Sequence, residues 1–236
     1  MILYVNGDSH TAAAEAVNSH SFAEDDALLG HLGRIPHPDN LAVSWSRLLA
    51  STLKYGFHCG AESASSNIRI LRTTREWLAA NQRHARDTLM IIQWTTWERE
   101  EWLDEATGVY YQVNGSGIDT VPQAWQERYR HYIMGLNWYD KAQEAHDQIW
   151  AFHNELKDQG VNHIFFNGNN TFESIQNCQD WGKNYIGPYD TTKSFDYLIK
   201  SNGYNTVNPN SWHFGKDGHS FFHRFMLQYI IDNKLM

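Results

Sequence analysis

The stretch Thr88 to Trp94 reads Thr-Leu-Met-Ile-Ile-Gln-Trp, a nearly unbroken apolar run. A strand with one wet face alternates apolar and polar residues. A continuous run instead fits an inner strand of a parallel sheet, covered on both faces. Parallel strands need long crossovers, so helical sequence must lie between the strands. Ile2 to Asn6, Tyr55 to Cys59 and Val161 to Phe166 are further short strands. Ser44 to Leu53 places Trp45, Leu48, Leu49 and Leu53 on one helical side, and Asn67 to Asn81 does the same with Ile68, Leu71 and Leu78. Helical sequence runs from Pro122 to about Lys157 with a break near Gly135, and again from Thr192 to Ser201. A last helix carries Phe222, Phe225, Met226, Tyr229 and Ile230. Prolines predict a loop over Gly30 to Asn40, and residues 103–120 read as an irregular or hairpin excursion. The alternation predicts a three-layer α/β/α sandwich with a mostly parallel central sheet, as one domain over 1–236 with an insertion around 100–135.

Composition narrows the function classes. The net charge is -8 and no Lys/Arg-rich run occurs, which argues against a nucleic-acid partner. The two cysteines, Cys59 and Cys178, show no CxxC spacing. No apolar run is long enough for a bilayer, and the first strand leads at once into a polar turn, so a cytoplasmic protein without a membrane partner is expected. Histidines number 13 but show no HExxH or similar spacing, so neither a metal nor another cofactor is expected. Aromatic residues reach 14 %, which fits a rich core and also an aromatic-lined cleft for sugars or acyl groups.

The first strand runs into Gly7-Asp8-Ser9-His10 and then a helix-like run from Thr11 to Val17. Active sites of parallel sheets lie at the carboxyl ends of their strands, so Ser9, the small-residue loop 60–66, Thr95, Thr96 and Asn167 are expected to converge. A serine hydroxyl becomes a nucleophile when a base takes its proton, usually a histidine oriented by a third polar group. His213 and His219, just before the last helix, are the late histidines, and His219 reads as a capping or packed residue. The oxyanion that forms needs two or three donors. The G-x-S-x-G elbow of another hydrolase class is absent around Ser9.

Val5-Asn-Gly-Asp-Ser9 near the N-terminus, with Asn210-Ser-Trp-His213 before the final helix, resembles the SGNH (GDSL-type) hydrolase superfamily. The resemblance implies a flavodoxin-like α/β/α fold with Ser9 as nucleophile and His213 as base. Asn210 stands where the superfamily has its orienting aspartate. An amide can fix the imidazole tautomer but cannot offset its charge, and Asp217 or another carboxylate can stand in. The oxyanion donors implied are the N–H groups of Ser9 and Ala64, the latter in Cys59-Gly-Ala-Glu-Ser-Ala64, with alanine acceptable there if φ is negative. Thr95 takes the place of the superfamily's asparagine. Asp8, His10, Trp94, Arg99 and Asn167 are the residues expected around the substrate. The function implied is a serine esterase or deacetylase acting on a small-molecule or carbohydrate ester such as an O-acetylated sugar. The alternative is a weakly active or inactive carbohydrate- or partner-binding protein on the same fold. The Gly-Asp-Ser-His opening and the His-Phe-Gly-Lys-Asp-Gly-His219 ending also resemble SGNH-like proteins of tailed bacteriophages.

Overall fold

In the computed structural model, which describes residues 1–23, 35–115 and 117–235, the chain runs in order through β1 (Ile2–Asn6), α1 (Pro38–Ala42), α2 (Trp45–Leu53), β2 (Gly56–Cys59), α3 (Asn67–Ala80), β3 (Thr88–Trp94), β4 (Glu100–Asp104), β5 (Val109–Val113), α4 (Gln126–Met134), α5 (Trp138–Asp158), β6 (Asn162–Asn167), α6 (Phe195–Ser201) and α7 (Lys216–Asp232). Gly30 to Arg34 of the expected proline loop lie outside the described residues. Four strands form one sheet in the order β2-β1-β3-β6, and every pair is parallel. All seven residues of β3 are buried, as its apolar run requires.

The side chains of β3 divide between two cores. Met90, Ile92 and Trp94 pack with Ile70 and Leu71 of α3 and Ile149, Phe152 and Leu156 of α5. Leu89 and Ile91 pack on the other face with Trp45 and Leu49 of α2 and Phe222, Met226 and Ile230 of α7. The molecule is therefore the three-layer α/β/α sandwich expected, and each fully buried apolar side chain contributes roughly 1.5–3 kcal/mol. The strand order is the flavodoxin-like one. It reverses direction between β1 and β3, and crevices for ligands open at the carboxyl ends of strands at such a reversal.

Local chemistry sets most helix ends. The Ser44 hydroxyl accepts the Arg47 N–H at the start of α2, the Ser66 hydroxyl accepts the Arg69 N–H at the start of α3, and the Asn137 carboxamide caps α5. Gly135, Leu136 and Asn137 separate α4 from α5, at the break the sequence indicates. Two expectations need correction. Pro38 does not bar a helix but begins one, because its missing N–H is no loss in a first turn. Thr11 to Val17 is not a helix; it is a series of turns in which Ala13 (φ 57) and Glu15 (φ 62) are left-handed.

The β4–β5 hairpin is antiparallel and joins α4 around Trp102, Val113, Val121 and Tyr129. Arg72 of α3 holds Glu101 of β4 through two hydrogen bonds of 2.8 and 2.7 Å, which ties this unit to the sandwich. Among the described residues no helix is long and apolar enough to cross a membrane.

Candidate active site

The turn after β1 is tightly closed. The N–H groups of Thr11 and Ala12 both donate to the Asp8 carbonyl, at 3.1 and 3.0 Å, and Ala14 N–H donates to the Ser9 carbonyl at 2.9 Å. Left-handed backbone costs an alanine or glutamate about 1–2 kcal/mol, so Ala13 and Glu15 need a compensating contact. Glu15 has one, because its carboxylate reaches the loop before α7. Ser9 itself is almost fully buried, and neither its N–H nor its Oγ has a hydrogen-bond partner among the described residues.

His213 sits on that loop. Val207 N–H donates to the His213 carbonyl, an antiparallel bridge pairs Thr206 with Phe214, and Phe214 is buried in the α7-side core. These contacts anchor the histidine backbone. Its Nδ1 lies 2.7 Å from Glu15 Oε2, and the Ser211 hydroxyl donates to the same oxygen at 2.6 Å. A carboxylate only accepts, so Nδ1 carries the proton of this contact, and in the neutral ring the lone pair is on Nε2. Asn210 does not take this role. It is exposed, and it is engaged through its own N–H with Asn208 Oδ1 in a local turn. The carboxylate that contacts Nδ1 is Glu15 rather than Asp217.

His10 is buried beside His213, ring centroids 5.5 Å apart, and packs on Phe195 and Phe214. Burial is the largest influence on it and lowers its pKa to about 4, with His213 adding to the shift and Asp8 opposing it. His219 is buried against α2, its Nδ1 facing the Trp45 N–H at 3.4 Å, and burial lowers its pKa to about 3. It packs, as the sequence indicates. Burial works to raise the pKa of Glu15, but the hydrogen bonds from Ser211 and His213 outweigh it and hold the carboxyl below its ordinary value.

Asp8 is the hub of a second network. Its Oδ1 accepts from His10 N–H (3.0 Å) and Gln93 Nε2 (2.7 Å); its Oδ2 accepts from Thr95 Oγ1 (2.7 Å) and Arg99 Nη1 (3.0 Å). Burial would raise its pKa, yet His10, Arg99 and these hydrogen bonds bring it down to about 2. Asp8 is thus a fixed, fully bonded anion that braces the turn. Gln93, the one amide in β3, reaches Asp8 because glycines lie on both sides of it. A Cβ on Gly7 would come 2.8 Å from Gln93 Cβ, and one on Gly168 would come 2.6 Å from Gln93 Nε2.

The expected oxyanion donors fare differently. The single O–H of Thr95 is spent on Asp8, and its N–H donates to Asn67 Oδ1 at 2.9 Å, so Thr95 has no donor left. Ala64 has an N–H without a partner among the described residues, but its φ is 61 where a negative value was expected. Its loop is docked to the turn after β1, since Glu62 N–H donates to the Gly7 carbonyl and Arg99 Nη1 reaches the Ser65 carbonyl. Two residues expected around the substrate lie elsewhere. Trp94 is fully buried between Phe152 and Phe165, and the Asn167 carboxamide is taken up by Tyr185 Oη at 2.5 Å and the Pro188 carbonyl. Arg99 is partly exposed, and its Nε is buried without a partner among the described residues.

Glu15 and Gln93 were not singled out by sequence. The signals present were a lone acid in an alanine run, Ala12-Ala-Ala-Glu15-Ala, and a lone amide in an apolar strand. Among the described residues no group of three or more His, Cys, Asp or Glu is placed to hold a metal.

No protein-family model matches the chain, and no curated protein matches it. Solved structures align along nearly its whole length at 12 % identity. A protein from Desulfitobacterium hafniense DCB-2, described as lipolytic and of the G-D-S-L family, gives a TM-score of 0.47 over 97 % of this chain and 98 % of its own. TesA gives 0.44 at 12 % identity over 100 % of both chains. The psychrotrophic esterase EstA from Pseudoalteromonas sp. gives 0.41 at 12 % identity over 98 % of this chain and 97 % of its own.

Proposed function

We propose that this protein is a serine hydrolase of the SGNH type that cleaves a carboxylic ester through an acyl-enzyme on Ser9. The observation that carries the reading is the 2.7 Å contact between Glu15 and His213 Nδ1. In the neutral ring it leaves the Nε2 lone pair beside the turn in which, among the described residues, the Ser9 hydroxyl also has no partner. In the reaction, His213 Nε2 takes the Ser9 proton as Oγ bonds to the acyl carbon. The carbonyl oxygen becomes anionic and receives the N–H groups of Ser9 and Ala64. The bond to the alcohol breaks as His213 returns the proton to the leaving oxygen. Water then repeats the sequence on the acyl-enzyme and frees the acid. Glu15 keeps the imidazole in the reactive tautomer and offsets its charge while it holds the extra proton. Asp8, Thr95, Gln93 and Arg99 brace the turn.

The test is active-serine labelling of the folded protein with a fluorophosphonate probe, together with turnover of p-nitrophenyl acetate. Wild type is labelled once and turns over the ester; Ser9→Ala does neither. A wild type that is neither labelled nor active overturns the reading and leaves a binding protein on this fold.

A further inference from the structure

A groove of about 420 Å³ lies on the α5 side of the same end of the sheet. Its walls come from Trp97, two residues past Thr95 on the segment after β3, from the start of α5, and from the segment after β6. Three observations define what it can hold. First, Trp138 and Tyr139 line it and are 55 % and 47 % exposed, whereas the tryptophans on either side of β3's end, Trp94 and Trp97, are buried. Neither exposed ring makes a ring contact with another aromatic or lies under a cation among the described residues, so both have faces free for a ligand. Second, the side-chain amides of Asn169 and Asn170 line the groove without a partner among the described residues. Third, the hydroxyls beside them are already ordered: Thr191 donates to Glu173 at 2.7 Å, and Thr171 and Thr191 are 3.0 Å apart.

Rings that stack, amides that donate and accept, and oriented hydroxyls are the groups that recognise a sugar ring, with its apolar C–H face and its rim of hydroxyls. Among the described residues no lysine or arginine lines the groove, and Glu173 does. With a chain charge of -8, this disfavours a phosphate or an acidic sugar. The size accommodates one or two pyranose rings and falls in the range of small-molecule pockets, about 300–1,000 Å³.

We infer that this groove is a subsite for a neutral oligosaccharide, stacked on Trp138 and Tyr139 and held by Asn169 and Asn170. On the hydrolase reading above, on which this part rests, the groove binds the sugar portion of an O-acylated carbohydrate whose ester reaches Ser9. The binding claim itself does not require Ser9 to be active.

The experiment separates the two. Binding of cellohexaose, xylohexaose and chitohexaose to the intact protein is followed through the indole N–H resonance of Trp138, with polygalacturonic acid as an anionic control. At least one neutral hexaose shifts that resonance saturably, and Trp138→Ala weakens binding by at least about tenfold, which corresponds to ~1.4 kcal/mol. Trp138→Phe retains most of the affinity, and Ser9→Ala binds as wild type does. The inference is overturned if none of the three hexaoses shifts the resonance, if Trp138→Ala binds equally well, or if the polyanion binds better. A protein that binds a hexaose but neither labels nor hydrolyses keeps the groove and loses the hydrolase.

Discussion

Glu15 Oε2 receives hydrogen bonds from the Ser211 hydroxyl and from His213 Nδ1, and the second spans 198 positions of sequence. Its lowered pKa follows from those two contacts and keeps it anionic at neutral pH. Glu15→Gln preserves the shape but removes the charge that accompanies imidazolium formation. The expected result is a fall in kcat of up to about 10⁴, the scale known for the same kind of change in the serine-protease triad. The KM for a small ester stays nearly constant. Asn210→Ala, at an exposed position away from the imidazole, stays within about twofold of wild type. Steady-state kinetics on p-nitrophenyl acetate check both, and a full-activity Glu15→Gln beside a dead Asn210→Ala would reverse the assignment. Sequence points to Ser9 and His213 because a strand, a turn and a helix boundary mark them locally. It does not point to Glu15, because the carboxylate arrives through two left-handed residues that no local pattern requires.

The loops at the ends of β2 and β3 hold different kinds of group. Ala64 is left-handed, which glycine adopts without the steric cost. Ala64→Gly keeps the backbone N–H and relieves the strain, so it is expected to stabilise by up to about 1 kcal/mol with kcat preserved, read from thermal melts and ester turnover. Thr95 is a brace between Asp8 and Arg99. Thr95→Val strips a buried carboxylate of one donor and should destabilise by about 1–3 kcal/mol. Were Thr95 an oxyanion donor, its loss would instead lower kcat by about 10²–10³ with little change in the melt, so the two measurements together decide its role. At this scale the strands were legible because burial on both faces writes itself as a continuous apolar run. The turn at 11–17 was not. Its alanines have high helix propensity, and tertiary contacts at Glu15 overrule them. Gln93 was illegible for another reason, since its purpose appears only when Gly7 and Gly168 from the two neighbouring strands leave it room.

Over the whole molecule, buried histidines set the response to acid. Besides His10 and His219, His153 and His163 form a buried pair with Nδ1 of the first 2.8 Å from Nε2 of the second. His163 Nδ1 faces the Val161 carbonyl at 2.9 Å, so it carries a proton and its Nε2 accepts from His153. His153 Nε2 is left buried without a partner among the described residues. Burial is the main cause that pushes both members of the pair down, and their closeness to Lys157 adds to it. The unfolded chain binds protons at the ordinary histidine value near 6.5, whereas the folded groups bind them only near 4 or below. The unfolded state therefore holds more protons throughout that window. Stability is complete above pH 6.5 and is lost as the pH falls from there through about 4. At pH 5 each independently titrating buried histidine removes roughly 2 kcal/mol, and the pair counts for less than two. Urea unfolding at pH 7.5 and pH 5.0 should thus differ by several kcal/mol in a range above most carboxylate titrations. His219→Asn places Oδ1 where Nδ1 accepts the Trp45 N–H but does not titrate, so its pH dependence should be flatter by about one histidine's share. Wild-type unfolding curves that coincide at the two pH values would mean that these imidazoles are not sequestered as neutral groups in the folded chain.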